Sequence, residues 1–195
     1  TNSDVDQAKD RGTVAINNIQ PEVVKKETAK NAIDQIALTR KAIIDQTPDA
    51  TTEEKEAAKS KVDEEVIKAK HGIDQAKTNN DVDQVEQNST TMINNIQPTV
   101  VKKSEARQAI DDLAKLKKAT IDLTQEATEE EKEAAKSKVD QALTEAKTHI
   151  NEAENDDGVD NAKTKGINVI NTIQLEIIKK VEAKHEIDQS AIAKK

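Results

Sequence analysis

Glu53-Glu54-Lys55-Glu56-Ala57-Ala58-Lys59-Ser60-Lys61-Val62-Asp63 returns without a single change as Glu130 to Asp140, an offset of 77 residues. The same offset holds elsewhere. Asp4-Val5-Asp6-Gln7 recurs at Asp81 to Gln84 and, altered, as Gly158-Val159-Asp160-Asn161. Ile16 to Pro21 (INNIQP) recurs at Ile93 to Pro98 and as Ile170 to Leu175 (INTIQL). Residues 1–77 and 78–154 agree at 44 of 77 positions with no insertion, and a third copy stops at Lys195, about halfway. A fixed period of this length marks a tandem array of small structural units. The sequence therefore reads as repeat 1 over 1–77, repeat 2 over 78–154, and a partial repeat 3 over 155–195 holding its first two helices.

Working outward from the invariant run, the apolar residues around it fall on one helical face. Ala58, Val62, Val66, Ala69, Ile73 and Ala76 are spaced 4, 4, 3, 4, 3, and Ala135, Val139, Leu143, Ala146, Ile150 and Ala153 repeat them. Thr51 with Glu54, and Thr128 with Glu131, have the spacing of a capping box, in which hydroxyl and carboxylate satisfy each other's backbone N–H groups. Acidic residues crowd the same first turn, where the helix dipole favours them. A second segment is expected from Pro21 to Asp45, with proline as first helical residue and Ala29, Ile33, Ile36, Arg40 and Ile44 as its stripe; Ala106, Ile110, Leu113, Lys117 and Ile121 match. A shorter first segment runs from Asp4 to Ile19, with Val5, Ala8, Ile16 and Ile19 facing inward and Asn80 or Asp81 as the cap of the next copy. Proline disfavours helix in the residue before it, so a reversal is expected at Pro21 and Pro98, although the third copy has Leu175 there. A kinked continuous helix is the alternative. Helices of roughly 16 to 26 residues suit an up-down-up bundle about 30 Å long. The expected fold is all-α: tandem three-helix bundles joined end to end into an elongated rod.

Composition supports narrow bundles over a thick core. Among 195 residues there is no Phe, Trp, Tyr or Cys, 35% are charged, and Val, Ile and Leu make up 40. Each helix can bury one stripe, with Ala and lysine stems filling in. A net charge of −8 speaks against nucleic acid, which needs a basic face, and no aromatic is present to stack on bases. No apolar run approaches the roughly 18 residues of a membrane span, so no membrane insertion is expected in this fragment. Zero cysteines exclude disulfides and thiolate metal sites. Both ends fall inside a repeat, so a targeting segment is expected outside the fragment.

The repeat is also a filter for candidate sites, since chemistry needed by each unit should recur in each unit. The histidines do not recur: His71 stands opposite Thr148, His149 opposite Gly72, and His185 opposite Asn31 and Gln108. Asp4/Asp6, Asp81/Asp83 and Asp156/Asp157 sit beside helix starts and read as caps. A calcium loop counted from Asp156 fails, with Asn161 sixth and Ile167 twelfth where glycine and glutamate belong. Lys25-Lys26, Lys102-Lys103 and Lys179-Lys180 do recur. They could touch an anionic polymer, and read more simply as a solvated face paired with nearby Glu. Gly12 and Gly166, opposite Ser89, suggest close helix packing or a local kink. Asn88-Ser89-Thr90 matches a glycosylation sequon, a short pattern that carries little weight. The sequence offers no nucleophile–base set, phosphate loop or metal-ligand spacing, so no catalytic, cofactor-binding or metal residues are assigned and no enzyme is expected.

The whole chain resembles a known repeat family, through IQPEVVKK and TPDATTEEKEAA at this spacing. It is similar to the repeats of unknown function in staphylococcal cell-wall-anchored surface proteins. Similar units occur in the aggregation and biofilm adhesin, in the methicillin-resistance-associated surface protein and in the giant extracellular-matrix-binding protein. The resemblance implies an extracellular place on the bacterial surface, cell-wall anchored in the full-length protein, and a stalk between a binding region and the anchor. It supplies no binding residues. Two functions follow as expectations. The first is a spacer that projects an adhesive region and supports adhesion, aggregation or biofilm. The second is a module that binds host matrix or plasma proteins, or its own kind, weakly and through many copies, touching otherwise only neighbouring repeats of the chain.

Overall fold

In the computed structural model, which describes residues 1–17 and 24–194, the described residues form eight helices and no strand. They are α1 (Asn2–Asn17), α2 (Val24–Asp45), α3 (Thr52–Gln75), α4 (Asn79–Asn95), α5 (Lys102–Asp122), α6 (Glu129–Glu152), α7 (Asp156–Thr172) and α8 (Lys179–Ile192). The all-α expectation and the three-helix repeat hold. The chain forms two compact units: Thr1–Arg40 with Val62–Asn95, and Lys41–Lys61 with Ile96–Lys195.

The second unit contains a complete bundle in which α5, α6 and α7 all pack against one another. Its core is Ala106, Ile110, Ala114 and Ile121 from α5, Ala135, Val139, Ala142, Ala146 and Ile150 from α6, and Val159 and Ile170 from α7. Ile110, Val139, Ile150, Val159 and Ile170 are wholly covered. The first unit buries the same register one period earlier: Ala29, Ile33, Val62, Ala69, Ile73, Val82 and Ile93. The stripes read from the sequence are largely these residues. One shift stands out. Ala37 and Ala114 are buried, while the larger Ile36 and Leu113 beside them stay partly exposed. A small side chain at the centre of a helix crossing lets the backbones approach, and the large neighbour then covers the seam from its edge.

Gly166 shows that close approach most sharply. A Cβ built there would lie 2.5 Å from the Ala146 methyl and 3.1 Å from Ile110 Cδ1. The expectation of close packing at this glycine is met. Gly12, at the same repeat position in α1, has nothing within 4 Å.

Three local expectations need correction. First, Pro98 is not the first residue of a helix. The backbone leaves helix after Asn95, runs without regular structure from 96 to 101, and α5 starts at Lys102. The third copy makes the same break between Thr172 and Lys179 with Leu175 in place of proline, so proline is not required for it. The other such join, at Pro21, lies outside the described residues. Second, the cap of α4 is Thr78, not Asn80 or Asp81. Asp81 N–H donates to Thr78 Oγ1 at 3.1 Å, and Thr78 N–H donates to Asp81 Oδ2 at 3.0 Å. Thr1 with Asp4 forms the matching pair in α1, and Asn155 accepts from Gly158 N–H in α7. Third, Val5, Ala8 and Ile16 of α1 do not face inward; no residue of α1 is buried. In α7 the equivalent stripe is covered by α5 and α6 together.

Equivalent positions in the repeat therefore have unequal weights. Ile170→Ala should destabilise by about 2–5 kcal/mol through the cavity it leaves, whereas Ile16→Ala, 68% exposed at the same repeat position, should change stability by no more than about 0.5 kcal/mol. Gly166→Ala should cost about 1–3 kcal/mol by overpacking, whereas Gly12→Ala, with open space around it, should stabilise α1 by about 0.5–1 kcal/mol through helix propensity. Urea unfolding of the four variants checks all of these.

Candidate functional site

The recurring lysine pairs are the sequence feature with the strongest claim to a ligand, and the structure gives most of them internal work. Lys102 Nζ lies 2.7 Å from Asp160 Oδ2 and joins α5 to α7; Lys25 with Asp83 is the same pair one period earlier. The hydrogen bond with the aspartate raises the pKa of each lysine, against the opposing effect of desolvation. Lys103 is buried at 6% exposure and donates to the Asn151 carbonyl at 2.7 Å. Lys26 donates to the Asp74 carbonyl at 2.8 Å. Both place an ammonium on the last carbonyls of the unit's second helix, where the dipole is negative. For these two pairs a solvated face paired with nearby Glu therefore needs correcting: the partners are aspartates on α4 and α7 and backbone carbonyls. Lys180 donates to the Gln125 carbonyl at 2.8 Å, and Lys179 lies 3.8 Å from Glu182.

Other candidates stay apart. His71, His149 and His185 are exposed; His149 Nδ1 is 3.8 Å from Glu152 Oε2. Asp156 and Asp157 lie in the first turn of α7. The sequon falls inside α4 with Ser89 buried. No group of three or more His, Cys, Asp or Glu among the described residues is arranged to hold a metal ion. No helix among them is long and apolar enough to cross a membrane.

The second unit instead concentrates its polar contacts where the first turn of α3 meets α5 and the turn between α6 and α7. Three consecutive residues reach two other stretches of chain. Thr52 N–H and Oγ1 donate to the Glu154 carbonyl at 2.9 and 3.1 Å. Glu53 Oε2 accepts from Asp156 N–H at 2.9 Å. Glu54 Oε1 accepts from the N–H groups of Val101 and Lys102 at 2.7 and 2.9 Å. Arg107 adds bonds to Asp49 Oδ2 and Asn151 Oδ1 at 3.1 and 2.7 Å. A groove of about 340 Å³ beside these residues is floored by Ala57 and Ala58 and edged by Lys61, Gln97 and Thr99.

One period later the arrangement returns. Glu131 Oε1 accepts from Ile178 and Lys179 N–H at 2.7 and 2.9 Å, and Lys184 pairs with Glu126 at 2.8 Å as Arg107 does with Asp49. The equivalent groove shrinks to about 120 Å³, with Lys138 and Glu176 on its edge paired at 3.1 Å. The other oxygens of the two glutamates complete the capping boxes read from the sequence, through Thr51 and Thr128. The second role, 47 and 48 residues away in the chain, had no signal in periodicity or spacing.

A family model described as Domain of Unknown Function (DUF1542) matches residues 25–101 and 102–178. Among curated proteins, the chain is 28% identical over its whole length to "Extracellular matrix-binding protein EbhA" of Staphylococcus aureus strain Mu3, covering 3% of that protein. It is 28% identical to "Extracellular matrix-binding protein ebh" of strain JH9, covering 2%, and 27% identical to the EbhA protein of strain Newman, covering 6%. The chain thus spans a few per cent of the length of these relatives. No solved structure matches it.

The glutamate geometry sets a pH dependence. N–H groups of Lys179, Thr128 and Ile178 hold the Glu131 carboxyl down from 4.5 to about 2, against desolvation. At Glu54 desolvation pushes up, and the N–H groups of Lys102, Val101 and Thr51 together outweigh it. A carboxyl lowered on folding stabilises fully above its unfolded value and loses that contribution as pH falls through the folded one. For Glu131 the window runs from 4.5 down to about 2. An NMR titration should place the Glu131 side-chain midpoint near the lower end; a midpoint above about 4, the ordinary glutamate range, would show that the N–H bonds are not held in solution.

Proposed function

Since the chain belongs to the family described as Domain of Unknown Function (DUF1542), of which it carries two consecutive copies, we propose that it is a structural spacer in a bacterial surface protein. Its place is extracellular, in a longer cell-wall-anchored chain, and its job is to hold a binding region away from the cell and so support adhesion or aggregation. The printed names of the relatives, matrix-binding proteins of Staphylococcus aureus, support that setting. One observation carries the spacer reading. The features that recur at an offset of 77 are helix caps, buried stripes, internal ion pairs and contacts from one copy to the next, rather than a polar set facing solvent.

The bundle α5–α7 and the matched stretches support a working unit at 102–178, with 25–101 before it. We propose this phase for the array, with the period of the sequence copies unchanged. Arrays of such units gain stability from each unit and from its contact with the next, and their length grows with copy number.

A second reading has one observation in its favour, the words "matrix-binding" in the names of the relatives. With no aromatic residue in the chain, single-copy affinity would be low and avidity would have to come from repetition. Two measurements separate the readings. Small-angle scattering on arrays of one, two and three units should give a maximum dimension that grows roughly linearly; a plateau would sink the spacer. Immobilised fibronectin, fibrinogen, albumin and the protein itself should give no signal up to high micromolar concentration; saturable binding to any of them would favour the module.

A further inference from the structure

Two helices, α5 and α8, start without a cap of their own. Val101, at φ −128° and ψ −30°, and Ile178, at φ −115° and ψ −53°, precede α5 and α8, and neither makes a side-chain capping bond. Valine and isoleucine have no acceptor, and the first N–H groups of a helix have no partner within it. In both places the missing acceptor is the same atom of the same repeat position: Oε1 of Glu54 for Val101 and Lys102, and Oε1 of Glu131 for Ile178 and Lys179. The donor distances are identical in the two copies, 2.7 and 2.9 Å.

We propose that Glu54 and Glu131 are positioning residues that couple successive repeats, each capping its own helix with one carboxylate oxygen and the first helix of the following repeat with the other. Only an ionised carboxylate suits the task. It has two acceptor oxygens and no donor, and charge strengthens each N–H bond. A glutamine has one acceptor oxygen and must give up one of the two helices.

The dependence is clearest at α8. It has 14 residues and none of them is buried. A helix of that length is marginal in water by itself. What holds its first two turns to the rest of the unit is the Glu131 carboxylate, the Lys180 bond to the Gln125 carbonyl and the Lys184–Glu126 pair. Coupling of this kind is reciprocal: the preceding helix start is stabilised by the following repeat to the same degree. For a spacer this means that a repeat resists fraying from both ends while its neighbours are folded. The proposal borrows its purpose from the spacer reading; its test does not depend on that reading.

The test is amide hydrogen exchange by NMR on the full chain. Glu131→Ala should speed exchange at Ile178 and Lys179 by about tenfold or more, the loss expected for charge-assisted bonds. Thr128→Ala, which removes only the hydroxyl half of the box, should leave those two amides within about twofold of the parent rate, less than one neutral hydrogen bond. Glu54→Ala and Thr51→Ala should behave alike at Val101 and Lys102. If the alanine variants also speed exchange in the bundle core at Val139, then Glu131→Gln and Glu54→Gln replace them, with acceleration expected at the junction amides or at the Thr128 and Thr51 N–H groups, according to which helix start loses the single amide oxygen. Unchanged exchange at those amides in the glutamate variants would overturn the proposal and leave the spacer standing. A plateau in the scattering series would remove the spacer and leave the coupling standing.

Discussion

The structure rests on wholly covered isoleucines, foremost one at an equivalent position in each helix of the three-helix repeat. In the α5–α7 bundle these are Ile110, Ile150 and Ile170, and one period earlier Ile33, Ile73 and Ile93; none has any solvent exposure. With no aromatic side chain in 195 residues, nothing larger can fill a wide core. The helices must come close, and the sequence supplies small residues where they do so. Gly166 against Ala146 and Ile110 is the tightest of these contacts. Ala37 and Ala114 take the central positions, and the larger residues next to them close the edges. Burial of a branched side chain contributes about 1.5–3 kcal/mol, so a bundle with a few such positions per helix has little to spare. α1 and α8 carry the same residue types and bury none of them.

The abundant charge is arranged around that thin core. Lys102–Asp160, Lys136–Asp122 and Lys147–Asp111 tie pairs of helices together in the second unit. Each lies at the surface, where such pairs add little to stability singly. Their lysine stems lie along the seams and widen the apolar cover that Ala leaves narrow. Lys103 is the extreme case, buried almost completely with its ammonium on a helix-terminal carbonyl. A chain with a third of its residues charged can thus form an ordered bundle without an orthodox core.

This division also explains what could be read from the sequence. Period, helix faces and capping boxes are local or periodic, and Ala58 to Ile73 or Thr128 with Glu131 reveal them directly. The cap at Thr78 was harder, because Thr78, Asn79, Asn80 and Asp81 are all capping types and only geometry decides among them. The partners of Lys103 and Lys102 lie 48 and 58 residues away, and the second partners of Glu54 lie 47 and 48 away. No hydrophobic period encodes such contacts. The break at Pro98 was read as a helix start because proline suits a first turn; the N–H groups that needed a partner were those of Val101 and Lys102, and Glu54 holds them.

Six of the eleven unchanged residues have a physical reason in the structure. Ala58 and Ala135, and Val62 and Val139, are buried. Lys59 joins Asp45 and Glu56, and Lys136 joins Asp122 and Glu133. Glu53 holds the start of α7, and Glu54 and Glu131 each hold two helix starts. A substitution in α5 disturbs one bundle, and neighbouring side chains can shift to absorb it. A substitution in this run disturbs the core, an ion pair or two separate helix starts. Copies of a repeat drift wherever a position answers to one neighbour. They agree where the same short stretch must satisfy the bundle it belongs to and the chain that follows it.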